Sequence, residues 1–143
     1  MRLVNPNSWR RPVTLAALTL LAGVAGCGTR LHPVSGRVLF DDGSPLKEGQ
    51  VVCEMKEGEK TVMARGTLQP DGTFQLGTRE PGDGARPGKY RVAVVPRSLT
   101  EAEASKVPPI IDPKFEKFET SGLELDVKEG PNELNITVTR PKE

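Results

Sequence analysis

The sequence predicts an all-β domain: a seven-stranded antiparallel β-sandwich with one short helix in a long crossover, preceded by a signal peptide. Three observations carry this expectation. Apolar and polar residues alternate with period two in seven short runs, turn-forming residues fall between those runs, and the first 26 residues differ in character from the rest. A chain of 143 residues suits one domain. Aromatic residues make up only 4%, against 15 Gly and 13 Pro, which suits short strands and frequent turns.

The runs lie at 34–40, 50–56, 62–68, 73–76, 89–95, 123–127 and 133–139. In the first, Val34, Val38 and Phe40 share a face, and Gly36 inside the run predicts a bulge or a close backbone approach. Asp41-Asp42-Gly43-Ser44-Pro45 reads as a turn, since Gly43 tolerates positive φ and Pro45 presets its own. Cys53 shares a face with Val51 and Met55 and reads as a buried small hydrophobe. Pro70-Asp71-Gly72 predicts a hairpin into the fourth run. In the fifth, Tyr90, Val92 and Val94 point inward and Lys89, Arg91 and Ala93 outward, and the Tyr90 hydroxyl is expected to return to nearby backbone. Gly130-Pro131-Asn132 separates the last two runs. The stretch 98–118 lacks strand pattern. Thr100-Glu101-Ala102-Glu103 reads as a capping box, which predicts a helix over 100–106; Pro108-Pro109 end it, and Pro113 keeps the following residues irregular.

The N-terminal segment combines Arg2, Arg10 and Arg11 with an apolar run over 13–24. That run is shorter than the roughly 20 residues of a membrane-spanning helix. A basic start, a short apolar stretch and small residues before a cut describe a secretory signal. Val24-Ala25-Gly26-Cys27 is similar to the lipobox of bacterial lipoproteins, with cleavage between Gly26 and Cys27 and a diacylglycerol thioether on the Cys27 sulfur. Membrane lipid is thus the first expected partner, because one residue carrying two or three acyl chains anchors stably. The expected organisation is a signal peptide at 1–26, a lipidated tether at 27–33 and a β-sandwich at 34–143. By the sorting rule of enteric bacteria, Gly28 after the cysteine directs the protein to the outer membrane.

Removal of the signal leaves 17 basic and 19 acidic residues, a formal charge of −2, with no basic stripe to suggest nucleic acid as a partner. With Cys27 acylated, Cys53 has no intramolecular partner. The single histidine, His32, falls in the expected tether, so neither a Ser-His-Asp site nor a zinc site can be assembled in the body of the domain. Glu101/Glu103 and Glu116/Glu119 read as solvated carboxylates. Asp41-Asp42 and Glu80/Asp83 lack the ligand density of a calcium loop. The reading is therefore of a protein that is not an enzyme and needs no metal or other cofactor.

Val34-x-Gly36-x-Val38, Gly43-x-Pro45-Leu46, Asp71-Gly72-x-Phe74-x-Leu76 and Gly82-Asp83-Gly84-Ala85-x-Pro87-Gly88-x-Tyr90-x-Val92 occur in that order. Thr120-Ser121-Gly122-Leu123 and Gly130-x-Asn132 complete the set. Together they resemble the carboxypeptidase regulatory-like domain of small planctomycete-type lipoproteins, over nearly the whole mature chain. The resemblance implies a prealbumin-like (transthyretin-like) sandwich and brings no peptidase chemistry. Transthyretin-related hydroxyisourate hydrolases end in a Tyr-Arg-Gly-Ser type motif, whereas this chain ends Thr139-Arg140-Pro141-Lys142-Glu143. The expected function is a structural or protein-interaction module of the cell envelope, whose partner is an unknown envelope protein, with carbohydrate binding as the alternative. Phe115 and Phe118 are the candidate contacts: they either cap the core, the expectation favoured for Phe115, or meet a partner.

Overall fold

The computed structural model describes residues 29–97 and 99–142, and all seven expected runs form strands. They are β1 (Val34–Phe40), β2 (Gln50–Glu57), β3 (Lys60–Thr67), β4 (Thr73–Gln75), β5 (Gly88–Val95), β6 (Leu123–Val127) and β7 (Asn132–Val138). Two sheets result, one in the order β4-β1-β7 and the other in the order β3-β2-β5-β6. Among the described residues, helix is confined to α1 (Glu101–Ala104) and a 3-10 turn at Pro113–Glu116. The inward-facing positions of the alternating runs meet between the sheets, with Val34, Val38, Val51, Cys53, Leu76, Tyr90, Val92, Val94 and Val138 each at 2% exposure or less.

The expectation of a wholly antiparallel sandwich is overturned at one ladder. β1 and β7 run parallel, in register from Val34↔Asn132 to Phe40↔Val138. Alternation of side chains reports which face is buried but carries no information on the direction of a neighbour. The direction follows from counting. Each connection reverses the chain, so with seven strands the first and last point the same way, and pairing them must give a parallel ladder.

Gly36 explains how close this pairing comes. A Cβ at that position would lie 1.8 Å from the Leu134 carbonyl oxygen and 3.0 Å from the Phe74 ring. On β3, a Cβ at Gly66 would meet the same ring at 3.0 Å. Phe74, 2% exposed, thus fills the volume that two glycines leave open where β4 passes between β1 and β3. The turn at Pro70-Asp71-Gly72 does form, with Asp71 accepting from the Thr73 amide at 3.0 Å. It does not close the expected hairpin, because β3 and β4 diverge into different sheets and rejoin only at the Arg65↔Gly77 bridge. Turn chemistry specifies a reversal; whether a ladder continues past it depends on packing, here of Phe74.

The alternating directions sort the connections to two ends. At the near end lie residues 29–33, the β2–β3 turn, the loop 76–87 and the β6–β7 turn; at the far end lie the β1–β2 loop, the β3–β4 turn and the crossover 96–122. The crossover is not merely irregular. Glu103 accepts from the Thr100 amide at 3.0 Å and from its hydroxyl at 2.8 Å, the capping contact expected of that pair. Pro113 does not keep its neighbourhood irregular as expected: it occupies the first turn of the 3-10 helix, where its fixed φ is already suitable, and Asp112 caps the turn by accepting from the Lys114 amide at 3.1 Å. Ala93, expected outward, is 2% exposed because the chain returns over that face, with Phe118 against the Arg91 guanidinium and the Ser121 hydroxyl donating to the Val92 carbonyl.

Several exposed carboxylates hold these turns. Ser44, by its hydroxyl first and its amide next, and then Arg140, keep the Asp42 carboxyl at about 2. The Thr73 hydroxyl and amide lower Asp71, and the Thr100 amide and hydroxyl lower Glu103. Desolvation alone would push Asp83 up, but the Thr78, Glu80 and Arg79 amides together outweigh it. Each depressed carboxyl stabilises the fold fully above the ordinary carboxylate value, about pH 4, and that contribution is lost as pH falls through the folded value. Glu116, raised by desolvation, acts in the opposite sense but stands alone. Melting temperature should therefore hold steady from about pH 7 to 5 and fall between about pH 4 and 2. Asp42→Asn should make that fall shallower. A main loss of stability centred above about pH 5 would contradict this assignment.

Candidate functional site

Three regions bear on function, and the near end is the first. Gly26 and Cys27, the expected cleavage and lipidation positions, lie outside the described residues. The segment that follows them is fastened to the sandwich before β1 begins. His32 exchanges backbone hydrogen bonds with Ala85 at 2.8 and 2.9 Å, and its Nδ1 accepts from the Gly130 amide at 2.9 Å. Arg86 donates to the Thr29 hydroxyl at 2.6 Å and pairs with Glu57 at 3.1 Å. Placed by sequence in a tether, His32 is a fold-forming residue here, with its Nδ1 committed to the β6–β7 turn. Asn132 completes that turn by donating to the Lys128 and Gly130 carbonyls at 2.8 and 2.9 Å.

The far end carries Phe115 and Phe118. The 3-10 turn drives Phe115 into the core beside Ile111, leaving it 7% exposed beneath the Lys114 ammonium at 4.8 Å. Phe118 stays half-buried, 5.8 Å from the Arg91 guanidinium. Pro108 and Pro109 are exposed nearby. The two phenylalanines, grouped by sequence, therefore have different environments: one caps the core and the other reaches the surface.

The remaining reactive groups have structural partners. Cys53 is fully buried, and burial pushes its thiol up to about 12, far from a thiolate nucleophile at neutral pH. The Tyr90 hydroxyl donates to the Arg86 carbonyl at 3.0 Å, the return to backbone that its position predicts. Glu119 lies 3.9 Å from Arg91, and Asp42 2.8 Å from Arg140. Among the described residues, no group of three His, Cys, Asp or Glu side chains lies close enough to hold a metal ion. No helix among them is long and apolar enough to cross a membrane.

The third region was not legible in the sequence. An open groove of about 1190 Å3 crosses the outer face of the β4-β1-β7 sheet, walled by β3 and the loop 77–82. The register places polar side chains in rows across it: Asn135, Arg37 and Thr73 in one, Glu133, Ser35 and Gln75 in the next. Arg65 and Arg79 complete the wall. A second depression of about 760 Å3 adjoins it, sharing Thr78 and Arg79 and adding Arg30. The arginines divide by pairing. Arg86, Arg91, Arg97 and Arg140 each have a carboxylate within 4 Å, whereas Arg30, Arg37, Arg65 and Arg79 have none among the described residues. All four of these line this continuous surface, which also takes in the paired Arg86.

No family model matches the chain, and no curated protein matches it significantly. Among solved structures, it is similar to a DUF3823 family protein of Parabacteroides merdae at 19% identity and a TM-score of 0.51. The match covers 79% of this chain and 48% of that one, so the chain spans about half the length of that protein. A 9R-lipoxygenase of Cyanothece PCC8801 matches at 14% identity and a TM-score of 0.38 over 78% of this chain and 17% of its own. The likeness to the DUF3823 protein supports the two-sheet β fold and extends no further.

The contrast between the two phenylalanines gives a direct test. Phe115→Ala should cost about 3–5 kcal/mol, the scale of truncating a buried ring. Phe118→Ala, which removes a half-exposed contact with Arg91, should cost about 1 kcal/mol or less. Denaturant titration of the two variants measures both; equal costs would contradict the assignment of Phe115 to the core.

Proposed function

We propose that this protein is a bacterial lipoprotein, held to the outer membrane through acylated Cys27, whose sandwich is a non-catalytic structural or protein-interaction module of the cell envelope. The observation that carries the reading is Val24-Ala25-Gly26-Cys27 directly after a short apolar run. The strand directions add to it. Residues 29–32 join the near end, so an anchor attached through them leaves the crossover, with Phe118 and Pro108-Pro109, at the end remote from the lipid. Phe118 is the contact we assign to a protein partner there. The finer fold reading, a carboxypeptidase regulatory-like domain of prealbumin type, rests on the ordered glycine motifs. Its support is that Gly36, Asp71-Gly72 and Tyr90 each have a fold-keeping contact of the kind such a motif would preserve.

Carbohydrate recognition is a second reading, and one observation favours it. The groove on the three-stranded sheet is lined by hydroxyl, amide and guanidinium groups together with Leu39, Pro81, Glu80 and Glu133, and it offers no exposed aromatic ring, since Phe74 is buried. Protein interfaces concentrate aromatic anchors at their centre, so this surface is a poor match to a protein hot spot.

Fractionation tests the anchoring. Wild-type protein should sediment with membranes and incorporate labelled palmitate, and Cys27→Ser should do neither. A Cys27→Ser protein that still labels and sediments would falsify the lipoprotein reading.

A further inference from the structure

We propose that the groove on the three-stranded sheet, together with the depression beside it, binds a linear acidic polysaccharide. This rests on the carbohydrate reading of the same groove, names its ligand class, and does not depend on membrane anchoring. The starting point is the division of the arginines. In residues 27–143, whose formal charge is −2, four guanidinium groups with no carboxylate within 4 Å among the described residues have collected on one surface. Arg37 and Arg79 act on Asp71 and Asp83 only at longer range, while Arg86, Arg91, Arg97 and Arg140 are paired. Guanidinium forks bind carboxylate and sulfate oxygens bidentately, and an unpaired set retains that capacity for a ligand.

The shape and the lining decide between kinds of anion. The surface is open and elongated: three strands wide at about 4.8 Å per strand, extended by β3 at the Arg65↔Gly77 bridge, and continued past Arg79 to Arg30. Such a track suits a polymer better than a small anion. Between the arginines stand neutral hydrogen-bonding groups such as Thr73, Gln75 and Asn135, which match a ligand rich in hydroxyls. An acidic peptide would look for aromatic anchors and single-stranded nucleic acid for exposed aromatic platforms; the groove's accessible apolar surface comes from Leu39 and Pro81 and not from an aromatic ring, since Phe74 is buried. Two carboxylates also line it. Glu133 is held by the Asn135 amide at 2.7 Å, and Glu80 stands on the loop wall. They oppose dense phosphate charge more than the spaced charge of a polymer with one acid per sugar.

The test uses the full-length protein purified in detergent, so that its outcome is separate from that of the Cys27 experiment. Polygalacturonate should bind saturably and dextran should not bind. The double variant Arg37→Ala/Arg65→Ala should keep its melting temperature near neutral pH, since both side chains are exposed and neither has a carboxylate within 4 Å among the described residues, and should weaken polygalacturonate binding at least about tenfold. Arg97→Ala, altered at the far end where Arg97 pairs with Glu48 at 2.9 Å, should bind as the wild type does. The proposal is overturned if polygalacturonate fails to bind, if dextran binds equally, or if the double variant binds normally. It is also overturned if polyglutamate binds as tightly, pointing to acidic peptides, or if phosphatidylglycerol micelles displace the polymer at matched charge, pointing to the membrane surface.

Discussion

The first and last strands of the domain lie side by side, and the rest of the architecture depends on how closely they do so. Leu134 of β7 brings its carbonyl oxygen to a point only 1.8 Å from where a Cβ of residue 36 would sit, which only glycine permits. That approach makes β1 the middle strand of its sheet, with β7 on one side and β4 on the other. It also leaves the space into which Phe74 packs, and Phe74 in turn reaches Gly66 of the opposite sheet. One residue without a side chain therefore joins the chain ends, sets the sheet order and couples the two sheets. This pairing joins residues about a hundred positions apart, the kind of non-local contact that slows folding more than it costs stability.

The same pairing shapes the outer surface. Because β1 and β7 run in step, their outward residues align in rows, and Arg37 comes level with Asn135 and Thr73. The corner at Arg65↔Gly77 then adds the edge of the other sheet to the same face. Charge also holds the fold: Arg140 over the Phe40 ring at 4.2 Å and paired with Asp42, Arg91 between Glu54 and Glu119, and, at the margin of the groove, Arg86 bridging Thr29 and Glu57. The groove gathers the guanidinium groups that have no carboxylate within 4 Å among the described residues. A sandwich whose near end receives the N-terminal segment, whose side carries unpaired guanidinium groups and whose far end is a proline-rich crossover has its surfaces divided by direction.

What the sequence made legible follows from what period-two alternation reports. It located every strand to within one or two residues, because burial on one face is a local property of a run. It placed Cys53 and Tyr90 inside, and it flagged Gly36 as a site of close approach. Strand direction was hidden in the alternation and recoverable only by counting reversals. Ala93 was misplaced because the pattern of β5 records its own strand and not the crossover that later covers it. His32 looked like tether because its partners, Ala85 and Gly130, are remote in sequence. The groove was invisible for the same reason: Arg37, Arg65 and Arg79 are ordinary exposed residues of separate elements, and only the register and the β3–β4 corner bring them together. Cys27 is the reverse case: its expected lipidation rests wholly on local sequence, and it lies outside the described residues.

Native-state hydrogen exchange tests the central claim, that closure of β1 on β7 secures the whole domain. If it does, the ladder amides shared by Val34–Phe40 and Asn132–Val138 exchange only through global unfolding, and their opening free energies equal the stability measured with denaturant. Exchange of these amides through a local opening of much lower free energy, with the β2–β5 ladder still protected, would contradict the account.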